Sequence, residues 1–209
     1  MIKPTAMNRF TNHIFKNYAK DSGKLLVHVG TGVTVIGASA QVGMLLADKQ
    51  IEGHTKKFLV NQEIITSGAC IALYYSICEG VRRGVNKILE SGKLLTQNAA
   101  SYISSVNTEN TDSKPENWKN VFTKDEMKKG LSYNLEHITE SKVYKNTKNE
   151  LKSQTLEMSK RAAEVFHNYK NGVSVLAVLA ASVFAGNIAG PVIGNILASL
   201  PAKQDCKKS

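Results

Sequence analysis

Three long apolar blocks, with the charges gathered between them, constrain this chain more than any other feature. The first runs from Leu25 to Ala47 without a formal charge. Its about 23 residues make roughly 35 Å of helix, enough to cross a hydrocarbon core of about 30 Å. Lys24 flanks it on one side and Asp48-Lys49 on the other. The second starts near Phe58, after Lys56-Lys57, and ends at Cys78, before Glu79 and the pair Arg82-Arg83. It is the weakest of the three, with Asn61, Gln62 and Glu63 inside its start. The third, Val173 to Leu200, carries no charge and is long enough to span with a tilt or a kink.

Helices buried inside soluble proteins are usually apolar over only about 10 to 14 residues at a time. The blocks therefore predict an all-α chain: an integral-membrane helical hairpin, a charged helical middle region and a C-terminal apolar, glycine-rich helix. Residues 1–24 form a basic amphipathic N-terminal segment and 25–93 the transmembrane hairpin. Residues 94–171 are a polar loop with soluble helices, and 172–209 the last transmembrane helix with a basic tail. The partner implied first is a lipid bilayer.

Small residues recur inside the blocks at one-turn spacing. Ser182, Gly186, Gly190, Gly194 and Ala198 follow one another every four residues, beside the row Ala177, Ala181, Ala185, Ala189. Gly68, Ala72, Ser76, Gly80 and Gly84 do the same in the second block, and Gly30, Thr34, Ala38 and Ser39, Gly43, Ala47 in the first. A glycine inside a soluble helix costs about 1 kcal/mol. Between lipid-embedded helices such rows let two backbones approach closely, which increases dispersion contacts. The helix-packing residues expected from this pattern are Gly68, Ala72, Ser76, Gly80, Gly186, Gly190 and Gly194, joining helices of one chain or of neighbouring copies. Pro191, lacking an amide hydrogen and clashing with the carbonyl of Asn187, is expected to kink the third block.

Charge placement orients the hairpin. Lys3, Arg9, Lys16, Lys20 and Lys24 precede the first block, and Arg82, Arg83, Lys87 and Lys93 follow the second. The connecting loop has Lys49, Lys56 and Lys57, offset by Asp48 and Glu52. The positive-inside rule then puts the N-terminus and the middle region on the cytoplasmic side of a multi-pass protein. Lys203, Lys207 and Lys208 on the tail oppose that assignment, unless the third segment re-enters or lies flat. An antiparallel hairpin sets residues whose numbers sum to about 105 at one depth. His28 then lies level with Cys78 and Glu79, and Gln41 with Glu63 and Ile64. Carboxylates at such depth need partners: Gln41 or a loop lysine for Glu63, and His28 or Arg82 and Arg83 for Glu79. Asn187, in the third block, joins His28, Gln41, Glu63 and Glu79 as an expected buried polar residue.

The net charge of +10 lies mainly on the membrane flanks, because acids and bases nearly balance between Asn107 and Asn171. That speaks against a nucleic-acid partner. Residues 1 to 20 are basic and free of acids, and suit a helix lying on an anionic surface. In the middle region, residues 107 to 119 read as a loop. Thr123 with Glu126 makes a capping box, and Met127, Leu131, Leu135 and Ile138 mark one helical face. A further helix carrying Leu151, Leu156, Ala162, Val165 and Phe166 can run straight into the third block.

No catalytic, cofactor or metal constellation stands out. Cys70, Cys78 and Cys206 read as free thiols, and no His pair has metal-ligand spacing. Ser-Gly-Lys-Leu-Leu occurs at Ser22 to Leu26 and again at Ser91 to Leu95, but lacks the leading glycine and the Ser or Thr of a P-loop. It reads as a helix stop followed by a restart, or as chance. The expectation is a non-catalytic membrane scaffold or assembly protein without cofactor, a homo-oligomer or a partner of other membrane proteins. A pore-forming, holin-like protein and a soluble helical interaction module are the alternatives. Richness in Lys, Asn and Ile is compatible with a viral or phage genome.

Overall fold

The computed structural model describes residues 6–19, 21–107 and 115–196. The basic tail with Cys206, the last member of the third small-residue series (Ala198), Lys3, and most of the loop expected over 107 to 119 lie outside the described residues. All regular structure among the described residues is helical: α1 (Ala6–Tyr18), α2 (Ser22–Ala47), α3 (Gly53–Glu90), α4 (Gln97–Ser104), α5 (Lys124–Met127), α6 (Leu131–Glu136), α7 (Lys142–Asn146) and α8 (Lys152–Phe184). Short 3-10 turns cover Pro115–Asn120, Ile138–Glu140 and Asn149–Leu151. A π turn, Ala185–Ala189, continues α8, and helix resumes to Ile196.

Three of these helices are long and apolar enough to cross a membrane: Ser22–Ala47, Gly53–Glu90 and the stretch Asn149–Ile196. The chain divides into two compact units, residues 1–82 with 175–209, and residues 83–174.

The second unit is organised as a water-soluble domain is, with apolar residues inside and charges outside. Leu89, Ile103, Val106, Phe122, Leu131, Leu135, Ile138 and Phe166 are all buried in one cluster. Leu131 and Leu135 stand one turn apart on α6, as do Ala162 and Phe166 on α8, so each helix turns one stripe inward. Burying such a side chain contributes about 1.5–3 kcal/mol, enough to order helices too short to persist alone. Local chemistry sets their ends. The Thr123 hydroxyl and the Glu126 carboxylate form a reciprocal capping box at α5, and Thr96 and Ser141 cap α4 and α7. α3 stops at Gly92, whose φ of 69° takes the left-handed conformation. The Gly92 amide donates to the Leu89 carbonyl (2.8 Å) and the Lys93 amide to Ile88 (3.2 Å), a Schellman pattern.

The first unit is built differently. Its buried cluster is small: Val27, Cys78, Val178 and Ala181. Most of its apolar surface points outward. Val33, Ile36 and Met44 on α2, Ile64 and Ile65 on α3, and Leu176 and Val183 on α8 are each more than half exposed.

Candidate functional site

Within the first unit a small number of specific contacts join the apolar helices. α2 and α3 run antiparallel across the short loop at 48–52. Val27 and Cys78 share one buried cluster. The rings of His28 and Tyr75 stack at 6.3 Å. A Cβ placed on Gly30 would collide with the Tyr74 hydroxyl, so glycine there admits the ring. α3 meets the helix that follows the π turn where the Cys70 thiol donates to the Gly190 carbonyl (3.7 Å) and where Thr66 faces Gly194.

The small-residue rows divide into two kinds. The alanine row of the third block turns inward: Ala181 is 7 % exposed and Ala185 3 %. The row on α3 turns outward. Gly68, Ala72, Ser76 and Gly80 are all exposed, and nothing lies within 4 Å of a Cβ built on Gly68 or Gly80. In the third block Gly186 is exposed, while Gly190 and Gly194 are half-buried. Alanine packs the helices of this chain, and the α3 row is left open on its surface.

Pro191 follows the π turn directly. The Gly190 amide donates to the Ala185 carbonyl, five residues back instead of four. Widening the helix by one residue just before a proline relieves the clash that its ring makes with a regular helical carbonyl.

The polar residues of these helices have identifiable partners. Glu79, 8 % exposed, accepts two hydrogen bonds from Arg82, at 2.7 Å from Nε and 2.6 Å from Nη2. The same guanidinium donates to Asp21, whose other oxygen caps α2 by accepting from the Lys24 amide (2.9 Å). One arginine thus ties the start of α2 to α3. His28 is half-buried, and its Nδ1 shares a 2.7 Å hydrogen bond with the Tyr18 hydroxyl of α1. The Glu63 carboxylate accepts from Ser67 (2.6 Å) and lies with Gln41 at one small depression of about 360 Å³. Lys56, in the first turn of α3, donates to the Leu46 carbonyl. Gln41 and Asn187 are exposed.

The second unit holds two further features that the sequence did not signal. Glu90 accepts from the Ser132 amide (2.9 Å), the Ser132 hydroxyl (2.6 Å) and the Lys170 ammonium (2.7 Å). Burial pushes the Glu90 carboxyl up, but these donors outweigh it and hold the group below the usual carboxylate range. Beside the Gly92 turn lies an open cleft of about 1290 Å³, bordered by the start of α4 and the 3-10 turn that carries Trp118. Lysines 93, 119 and 124 line it. No sequence motif marks this cleft, since its residues come from two separate stretches with no shared spacing. Among the described residues no three His, Cys, Asp or Glu side chains converge as metal ligands would. No family model, no curated protein and no solved structure matches the chain.

Proposed function

We propose that this chain is a non-catalytic integral membrane scaffold: α2, the apolar part of α3 and the end of α8 lie in a bilayer, and copies assemble through the open row on α3. The observation that carries the reading is the outward apolar surface of the first unit. Ile36 is 71 % exposed and Leu176 68 %, on helices of spanning length. In water such a surface is an aggregation liability, whereas in hydrocarbon it is the expected exterior. The row Gly68, Ala72, Ser76, Gly80 supports assembly, because lipid tails cannot fill a shallow groove as closely as a second helix does. The positive-inside rule supports a cytoplasmic N-terminus.

The test uses the full chain with its native cysteines replaced by serine. Membranes carrying the protein are washed with alkaline carbonate, then treated with a short thiol cross-linker after introducing Ala72→Cys or Val33→Cys. The expected result is retention in the membrane pellet and cross-linked dimers for Ala72→Cys, with few for Val33→Cys on α2. Release of folded chain by carbonate would remove the bilayer from the reading. Equal cross-linking at both positions would remove the α3 row from it. Dye leakage from liposomes that is suppressed by Gly190→Leu would instead make the assembly a pore.

A further inference from the structure

The cleft beside the Gly92 turn has no part in the membrane scaffold described above. Its lining combines two chemistries that seldom share a surface without a reason. Lys93, Lys119 and Lys124 supply positive charge, and among the described residues no Asp or Glu lines the cleft. Trp118, Phe122 and Met127 supply an apolar wall. Three other lysines of this unit are paired, Lys128 with Asp125, Lys129 with Glu140 and Lys170 with Glu90. Among the described residues the three cleft lysines have no ion-pair partner. Like charges around a concavity raise its potential, and the arrival of an anion relieves their repulsion.

We propose that this cleft binds the headgroup of an anionic phospholipid, with the phosphate on the lysines and the glycerol and first methylenes against Trp118, Phe122 and Met127. Charge alone would suit any anion. The apolar wall favours a ligand that is anionic at one end and greasy at the other, and an indole beside lysines is suited to such an amphiphile. The volume, above the range usual for drug-sized ligands, accommodates a headgroup and the start of its chains. The backbone holds the wall in place. Gly92, at φ 69°, sits so close to the far edge of the Trp118 ring that a Cβ would strike it, so the indole abuts the turn. The inference rests on the membrane reading only for the source of the lipid.

The chain has one tryptophan, so its fluorescence reports on the cleft alone. Full-length protein in a neutral detergent is titrated with monomeric dihexanoyl-phosphatidylglycerol, dihexanoyl-phosphatidylcholine, sodium phosphate or hexaglutamate. The expected result is a saturable shift in emission with phosphatidylglycerol, half-saturating at a concentration about tenfold or more below that for phosphatidylcholine. Added salt weakens it. The preference disappears in Lys93→Glu/Lys119→Glu/Lys124→Glu and falls in Lys119→Glu alone. It survives in Lys145→Glu/Lys148→Glu/Lys160→Glu, which changes the charge equally outside the cleft, with circular dichroism confirming that all variants are folded. Equal response to both lipids, or an unchanged preference in the cleft variants, overturns the proposal. So does a hexaglutamate or phosphate response as strong as that of phosphatidylglycerol, which would make the cleft a peptide or simple anion site. Carbonate extraction is scored separately, so a failed titration and a failed membrane reading remain distinct results.

Discussion

Single residues decide more here than their chemistry on paper suggests, and the glycines show it. Gly92 ends α3 at positive φ with the Trp118 ring against it, so Gly92→Ala must both strain the backbone and displace the indole. A loss of about 1–3 kcal/mol from the second unit is expected, read by thermal unfolding of the full chain in detergent. Gly32→Ala is the contrast: its Cβ meets nothing within 4 Å, and the residue lies inside α2. There the substitution is expected to be neutral or to strengthen the helix slightly. If the two variants melt alike, the special status of Gly92 is wrong. Hydroxyl residues in the core are equally hard to read from sequence. Thr155 and Ser159 are fully buried on the inward stripe of α8 that also holds Ala162 and Phe166, although a pattern search scores both as polar. Ser159 is tolerated because its hydroxyl donates to the Leu135 carbonyl at 2.6 Å, which satisfies it without water. Ser159→Ala keeps the volume but leaves that carbonyl short of a donor, an expected cost of about 1 kcal/mol in the same melt.

Elements start and stop where neighbours on both sides agree, and the repeated Ser-Gly-Lys-Leu-Leu shows how little a short motif decides by itself. After Asp21, whose carboxylate caps the Lys24 amide, Ser22-Gly23-Lys24 opens α2. After the helical run to Glu90, Ser91-Gly92-Lys93 closes α3, and Thr96 restarts the chain as α4. Both occurrences therefore lie where one helix stops and another starts, the first opening α2 after α1 has ended and the second closing α3 before α4 begins. The three apolar helices are legible in the sequence because long runs without charge have few other solutions. The antiparallel pairing of α2 and α3 is legible because a short loop leaves one register. The Glu126 capping box is legible because Thr and Glu three apart before a helix have a specific job. What stays hidden is long-range. Ser132 and Lys170 are far from Glu90 in sequence, and nothing local marks them as its partners. Glu126 offers a test at this scale. Burial raises its carboxyl, but the Thr123 and Lys142 amides and the Thr123 hydroxyl donate to it and bring it below its ordinary value. A group with a lowered folded-state value contributes stability above its unfolded value, about 4.3. It loses that contribution as pH falls through the folded value. Melting temperature should thus decline on acidification from about pH 5 to 3. Glu126→Ala should start about 1 kcal/mol lower at neutral pH and decline less steeply, a modest figure because the side chain is partly open to solvent. Parallel pH profiles in the two proteins would rule this out.

At the scale of the molecule, two kinds of unit occur in one chain, and they differ in which solvent their surface suits. The second unit encloses most of its leucines, isoleucines and phenylalanines, while the first leaves valines, isoleucines and leucines facing out along helices of spanning length. Which liquid that outer face meets is a question of free energy that one substitution can put. Ile36 lies near the middle of α2 and is 71 % exposed, so a lysine there displaces no neighbour inside the chain. If the face meets water, Ile36→Lys is nearly neutral, since surface substitutions usually stay within about 0.5 kcal/mol. If it meets the centre of a bilayer, the ammonium costs about 2.5–3.5 kcal/mol on insertion scales. Ala47→Lys is the internal control: it stands at the last residue of α2, beside Asp48 and Lys49, where a charge already sits at the helix end. There the long side chain can reach the interface and the cost is expected to be small. The expected outcome is a clear fall in the membrane-inserted fraction for Ile36→Lys and little change for Ala47→Lys, measured by carbonate extraction of each from the same membranes. A lysine tolerated equally at both positions means that this face does not lie in hydrocarbon. The open row of Gly68, Ala72, Ser76 and Gly80 would then have to be explained by assembly in water, where each glycine is a cost to the helix that only a partner surface offsets.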